Sequence, residues 1–174
     1  MEYTFTLKYQ LAGHDCDHEI LLERLAEAGC TDALAGIGKP GRLALEFTRD
    51  ASSAQRAIRS ALAEVKRAIP SAKLVEATPD FVGLTDVAEL TGVSRQAMRK
   101  LMLSNAFSFP APVHEGSASI WHLAEVLDWL AAKGTYRIDQ AMLETAKAAL
   151  EVNRAKEAKR LAPKAAQELD RLIA

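Results

Sequence analysis

Between residues 81 and 134 the chain has four basic side chains, and three of them fall within six positions. The run Ser94-Arg95-Gln96-Ala97-Met98-Arg99-Lys100-Leu101 sets Arg95, Gln96, Arg99 and Lys100 as two adjacent pairs four residues apart. On a helix, at about 100° per residue, those four fill one arc while Ala97, Met98 and Leu101 fill the other. Arg can bond guanine O6 and N7 together, Gln can read adenine, and Lys or the Ser94 hydroxyl can hold a phosphate. Ser94 would also cap the helix, whose first amides and dipole favour a phosphate. A solvated helix face would carry the same residues, so what precedes them decides.

What precedes them is Leu84-Thr85-Asp86-Val87-Ala88-Glu89-Leu90-Thr91-Gly92-Val93. Thr85 can cap a first helix, Ala88 is small where two helices must approach, and Gly92 supplies the left-handed residue that ends it. Helix, tight turn, helix is the frame that presents a second helix to a major groove. After it, Phe109-Pro110-Ala111-Pro112-Val113 leads into a wing-like hairpin turning near Glu115-Gly116. A third helix then carries Leu123, Val126, Leu127, Trp129 and Leu130. His122 precedes its apolar face as a cap or an exposed polar residue, and Trp121 and Trp129 read as packing residues.

These elements together resemble the winged helix-turn-helix DNA-binding domains of the AlpA/excisionase type, related to the MerR class. The resemblance covers residues 81–134. It implies sequence-specific binding of double-stranded DNA, with Ser94, Arg95, Gln96, Arg99 and Lys100 at the recognition positions and helix 94–102 in the major groove. The wing departs from the pattern. It offers His114, Glu115, Gly116, Ser117 and Ser119 where such wings carry bases, and Glu115 repels phosphate. Contact there is confined to hydrogen bonds from Ser and His, Ser117 among them. So few cations predict weak binding by one copy, and two copies on two half-sites as the remedy.

The elements around this segment are of two kinds. In residues 1–80, Tyr3, Phe5, Leu7, Tyr9 and Leu11 alternate with polar residues, the period of a half-buried strand. A helix over 18–28 follows, with Asp17 at its cap and Gly29 closing it. Residues 33–37, the turn Gly38-Lys39-Pro40-Gly41, and Leu43, Leu45 and Phe47 read as a hairpin. Ser52 or Ser53 caps a second helix that Pro70 stops, and 73–77 is a last short strand. Strand, helix, hairpin, helix, strand is the order of a ferredoxin-like split βαβ unit, so the fold class is α+β. A sensor or docking role for this domain, with a small-molecule effector or a protein partner, rests on fold analogy alone.

Residues 135–174 read as a long, charged helical segment, without Gly or Pro from 138 to 162. Ile138, Met142, Thr145, Ala149 and Val152 form a weak four-three seam suited to self-association, and Pro163 ends or kinks the helix. Arg154, Lys156, Lys159 and Arg160 against Glu151 and Glu157 read as a solvated face.

Composition narrows the rest. Of 174 residues, 49% are hydrophobic and the net charge is -1, which excludes a globally basic nucleic-acid coat. Two cysteines make no disulfide framework, and no apolar run reaches the roughly 20 residues of a membrane span. His14-Asp15-Cys16-Asp17-His18 has metal-ligand residue types without a recognised zinc spacing. Gly36-Ile37-Gly38-Lys39-Pro40-Gly41 lacks the spacing of a phosphate loop and has Pro40 where Ser or Thr should follow the Lys. Cys30 has no neighbouring base to make it a nucleophile. No catalytic constellation assembles. The sequence predicts a cytoplasmic, phage-related, homodimeric transcriptional regulator without cofactor, metal or enzymatic activity. The alternative is an adaptor, such as an antitoxin or defence-system partner, with a degenerate helix-turn-helix.

Overall fold

The structure is a computed structural model that describes residues 1–15, 17–170, 172 and 173. It begins with β1 (Glu2–Gln10), α1 (His18–Glu27), β2 (Ala33–Gly36), β3 (Arg42–Asp50), α2 (Ala54–Ala68) and β4 (Lys73–Thr78). The four strands form one antiparallel sheet in the order β2-β3-β1-β4. Alternation decides which face is covered: Tyr3, Phe5, Leu7 and Tyr9 are buried, while Thr4, Thr6 and Lys8 point to the polar side. Phe5 lies opposite Phe47 on β3, and the two rings stack with centroids 5.2 Å apart. The Asp17 carboxylate accepts from the amides of Glu19 and Ile20 at 3.1 and 3.3 Å, and Ser53 caps α2 through Arg56 N at 3.3 Å. Both helices pack their apolar stripes, Leu21 and Leu25 on α1 and Ile58, Ala61 and Val65 on α2, into the core above the sheet.

The second half contains β5 (Phe81–Val82), α3 (Leu84–Thr91), α4 (Arg95–Ser104), β6 (Trp121–His122), α5 (Leu123–Lys133), α6 (Gln140–Ala158) and α7 (Pro163–Asp170). β5 and β6 pair antiparallel and tie the entry of this unit to the start of α5. Val87, Ala88, Met98, Trp121, Leu123 and Leu127 form its core. The expected helix through 138–162 ends earlier, at Ala158. Pro163 opens α7 at the first helical position, where its missing N–H costs no hydrogen bond.

Helix α6 belongs to both halves. Ala148 and Ala149 sit in the core of the sheet unit, and Leu143, Ala146 and Leu150 sit in the core around α3 to α5. The seam of Ile138, Met142, Thr145, Ala149 and Val152 is therefore occupied by the chain's own residues, with Thr145 and Ala149 buried. Two residues on the face expected to be solvated also anchor the helix within the chain. Arg154 donates to Glu125 at 2.7 Å, and Lys156 donates to the Val75 carbonyl at 2.5 Å. Outside that stretch, Lys147 pairs with Asp128 at 2.8 Å. Among the described residues, no helix is long and apolar enough to cross a membrane.

Candidate nucleic-acid interface

Helix α3 starts two residues earlier than the Thr85 cap would place it. Gly83 holds the N-cap position in extended backbone, and the Asp86 carboxylate reaches back to accept from its amide at 2.7 Å. Thr85 is exposed within the first turn. A carboxylate at the third helical position satisfies a free N-terminal donor and faces the positive end of the helix dipole, so it does the work expected of Thr85. At the other end Gly92 takes φ 70°, the left-handed conformation a side chain would strain, and the chain turns into α4.

Ser94 caps α4 as expected, its Oγ accepting from Ala97 N at 3.1 Å. The packed side differs by one residue from the expected one. Met98 is fully buried, and Leu101 and Met102 pack beside it, whereas Ala97 is exposed. The face at positions i, i+3 and i+4 faces inward, so 98, 101 and 102 replace 97, 98 and 101. At its far end, Asn105 donates through Nδ2 to the Leu101 carbonyl at 2.8 Å, and its Oδ1 accepts from Lys133 Nζ at 2.7 Å. Lys133 in turn lies over the Trp129 ring, 4.6 Å from its centroid. The helix is held along one side and pinned at both ends.

On its outer side, Arg95, Gln96, Arg99 and Lys100 are all exposed. None has a side-chain partner among the described residues. Gln96, Arg99 and Lys100 line one shallow depression, joined by Leu103 and Ser104. Leu103 is 58% exposed, and Phe107, just past the helix, is wholly exposed. Sequence reading missed both, because an apolar residue carries no mark of whether it is covered.

The segment expected to form a wing is a small hairpin. Val113 N donates to the Ile120 carbonyl at 2.7 Å and Ile120 N to the His114 carbonyl at 3.0 Å, leaving residues 115–118 exposed at its tip. Ser117 is on that tip, together with Glu115. Phe109 anchors the approach, with its ring edge-on to Trp121 and Trp129, and Trp121 Nε1 donates to the Pro110 carbonyl at 3.1 Å.

His122 is neither a side-chain cap nor exposed. It occupies the N-cap position of α5 without a cap bond, and its Nδ1 lies 2.7 Å from Asp80 Oδ1 in the buried interior. Asp80 is the missed residue here. A lone Asp after Thr78-Pro79 reads as a turn, and only the fold shows what it meets.

The remaining sequence features resolve structurally. Residues 37–41 are the turn between β2 and β3, closed by Arg42 N on the Lys39 carbonyl at 3.0 Å. Asp15 is buried, accepts from Ser71 Oγ, and lies 3.5 Å from Arg24 Nη1 and 3.4 Å from His14 Nε2. Cys16 lies outside the described residues. Among those described, no group of three His, Cys, Asp or Glu side chains is placed to hold a metal. Cys30 is buried 3.9 Å from Glu64, and burial with that carboxylate pushes its thiol up to about 11.

The exposed basic helix, its glycine turn and the anchored hairpin all lie within the stretch that matches a known family. Residues 80–134 match the model of the family described as Prophage CP4-57 regulatory protein (AlpA). This segment is of AlpA type. The match covers under a third of the chain. The sheet unit, α6 and α7 fall outside it. No curated protein and no solved structure matches the chain. The sequence resemblance and the family match coincide to within one residue at the start of the segment.

Proposed function

We propose that the chain is a transcriptional regulator that binds double-stranded DNA in a sequence-specific way through α4. The observation that carries this reading is the helix itself. Met98, Leu101 and Met102 fix it from behind, and Arg95, Gln96, Arg99 and Lys100 stand free in front. In this reading Arg95 and Arg99 bond guanine edges, Gln96 reads adenine, and Lys100 and Ser94 hold phosphates. Ser117 adds a phosphate contact from the wing, with Glu115 limiting what else the wing can do.

The strand order β2-β3-β1-β4, with α1 and α2 on one face, supports a ferredoxin-like reading of residues 1–80 as a sensor or docking domain. The hairpin at 113–120 supports the winged form of the helix-turn-helix. A dimer on two half-sites suits the few cations per copy. With the α6 seam filled, pairing falls to the C-terminal stretch, where Leu161, Leu169, Leu172 and Ile173 are exposed. A cytoplasmic, phage-related regulator without enzymatic activity is consistent with the AlpA match.

The test is a titration of native upstream DNA and of a scrambled duplex across a salt series. The reading predicts preference for the native fragment. Its log affinity should fall with log salt at a slope of about 0.9 per phosphate engaged. Equal binding to both duplexes, or none, would contradict it.

One observation favours a second reading, an adaptor that docks a protein. Leu103 and Phe107 expose apolar surface beside α4, which DNA phosphates do not need. Tight, salt-insensitive capture of a protein partner without DNA retention would select it.

A further inference from the structure

A cavity of about 590 Å³ lies between α2 and α6, with Tyr9 and Leu74 of the sheet on its floor. Its volume falls within the range of small-molecule sites. Residue size explains why it is there. α2 contributes Ile58, Leu62 and Val65, but α6 faces them with Ala148, Val152 and Ala155, too short at two of three positions to close the gap. The interior is apolar.

The rim is not. Arg59 and Lys66 flank the opening from α2, Lys156 from α6 and Lys159 from its C-cap, and Glu151 is the one opposing charge among its lining residues. Lys66 and Lys156 are engaged with the carbonyls of Pro70 and Val75. Arg59 and Lys159 are exposed and have no side-chain partner among the described residues. Two unengaged cations over an apolar chamber match one kind of ligand, an apolar body ending in an anion. The Tyr9 side chain, 5% exposed, closes the floor.

We infer that this cavity binds a small amphiphile with a single anionic headgroup, and that its occupancy alters DNA affinity through α6. Helix α6 is the shared wall. It lines the cavity with Ala148, Val152 and Ala155 and holds the AlpA-type segment with Leu143, Ala146 and Leu150. A ligand that spreads α2 from α6 therefore acts on the helix that carries the other core. The coupling rests on the DNA-binding reading above; the binding site does not.

The full chain is titrated with the fluorescent anion 8-anilino-1-naphthalenesulfonate, without DNA. Saturable binding is expected, displaced by decanoate and not by decyltrimethylammonium. Arg59→Glu with Lys159→Glu should weaken it by about tenfold or more. Ala155→Phe should abolish it, with the circular dichroism spectrum of the folded chain retained. Non-saturable binding, equal displacement by the cation, or indifference to the Arg59/Lys159 pair overturns the site. If Ala155→Phe unfolds the chain, the surface charge pair still decides. Saturating decanoate should then shift affinity for the native DNA fragment. An unchanged affinity, in a protein that binds both, overturns the coupling alone.

Discussion

Asn153 of α6 donates through Nδ2 to Asp80 Oδ2 at 2.7 Å, and both side chains are buried. Asp80 uses its other oxygen for His122, while Asn153 donates to the Ala77 carbonyl at 2.8 Å and accepts from the Ala77 amide at 2.9 Å. The Asp80 carbonyl also accepts from Leu123 N at 2.7 Å. Four elements meet here: the end of β4, the entry to the AlpA-type segment, the start of α5, and α6. A buried carboxylate tolerates such a position only when its oxygens are satisfied, so removing one partner is costly.

Asn153→Leu keeps the volume and leaves Asp80 Oδ2 and the Ala77 groups unpaired. Unfolding in urea should show a loss of about 2–4 kcal/mol. A loss below about 0.5 kcal/mol would mean that the network does not bind the two halves together.

Ser94 caps α4, and the phosphate contact proposed for its hydroxyl can be separated from that cap by substitution. Ser94→Ala removes both the cap and the hydroxyl, and should cost about 1 kcal/mol of stability as well as DNA affinity. Ser94→Gly retains most of the capping preference, so stability should drop by only a few tenths of a kcal/mol, at about that precision. Affinity should fall in both. If Ser94→Gly binds DNA like the parent, the hydroxyl contacts no phosphate.

The pH response of stability should be set partly by Arg49. Its Nε and Nη2 each lie 2.7 Å from Asp32, and Nη2 also reaches Glu64 at 2.7 Å. The Arg49 hydrogen bond holds the Asp32 carboxyl below its ordinary value of 3.8. A carboxyl lowered on folding adds stability above its unfolded value and loses it as pH falls through the folded one. Arg49→Met should therefore be less stable than the parent near neutral pH, with the gap narrowing as pH falls below about 4. A gap that stays constant into acid would assign the loss to packing over Phe47, whose ring centroid lies 5.1 Å from the Arg49 guanidinium carbon.

Much of this was legible in the residues, and the gaps have physical reasons. Alternation at Tyr3 to Tyr9 fixes which face of β1 is covered, since a period of two leaves no other choice. The caps at Asp17, Ser53 and Ser94 follow from residue type at a helix start. Thr85 does not cap because the Asp86 carboxylate takes the Gly83 amide, which starts the helix at Leu84. Ala97 was misplaced because a small residue fits either side of a helix edge, and Met102, one turn from Met98, fits better inside. For α6 the seam was visible but its partner was not: periodicity shows that a face will be covered, never by whom. The Asp80, His122 and Asn153 cluster spans 74 positions of sequence and has no local pattern at all.

The most direct test of the central claim is selection of bound duplexes from a randomised library by the parent chain and by Arg99→Ala. The account predicts a defined motif for the parent, and loss of preference at one position in the variant, worth about 1–3 kcal/mol of discrimination. No enriched motif, or the same motif from a folded Arg99→Ala chain, would contradict the assignment of α4 as the helix that reads DNA.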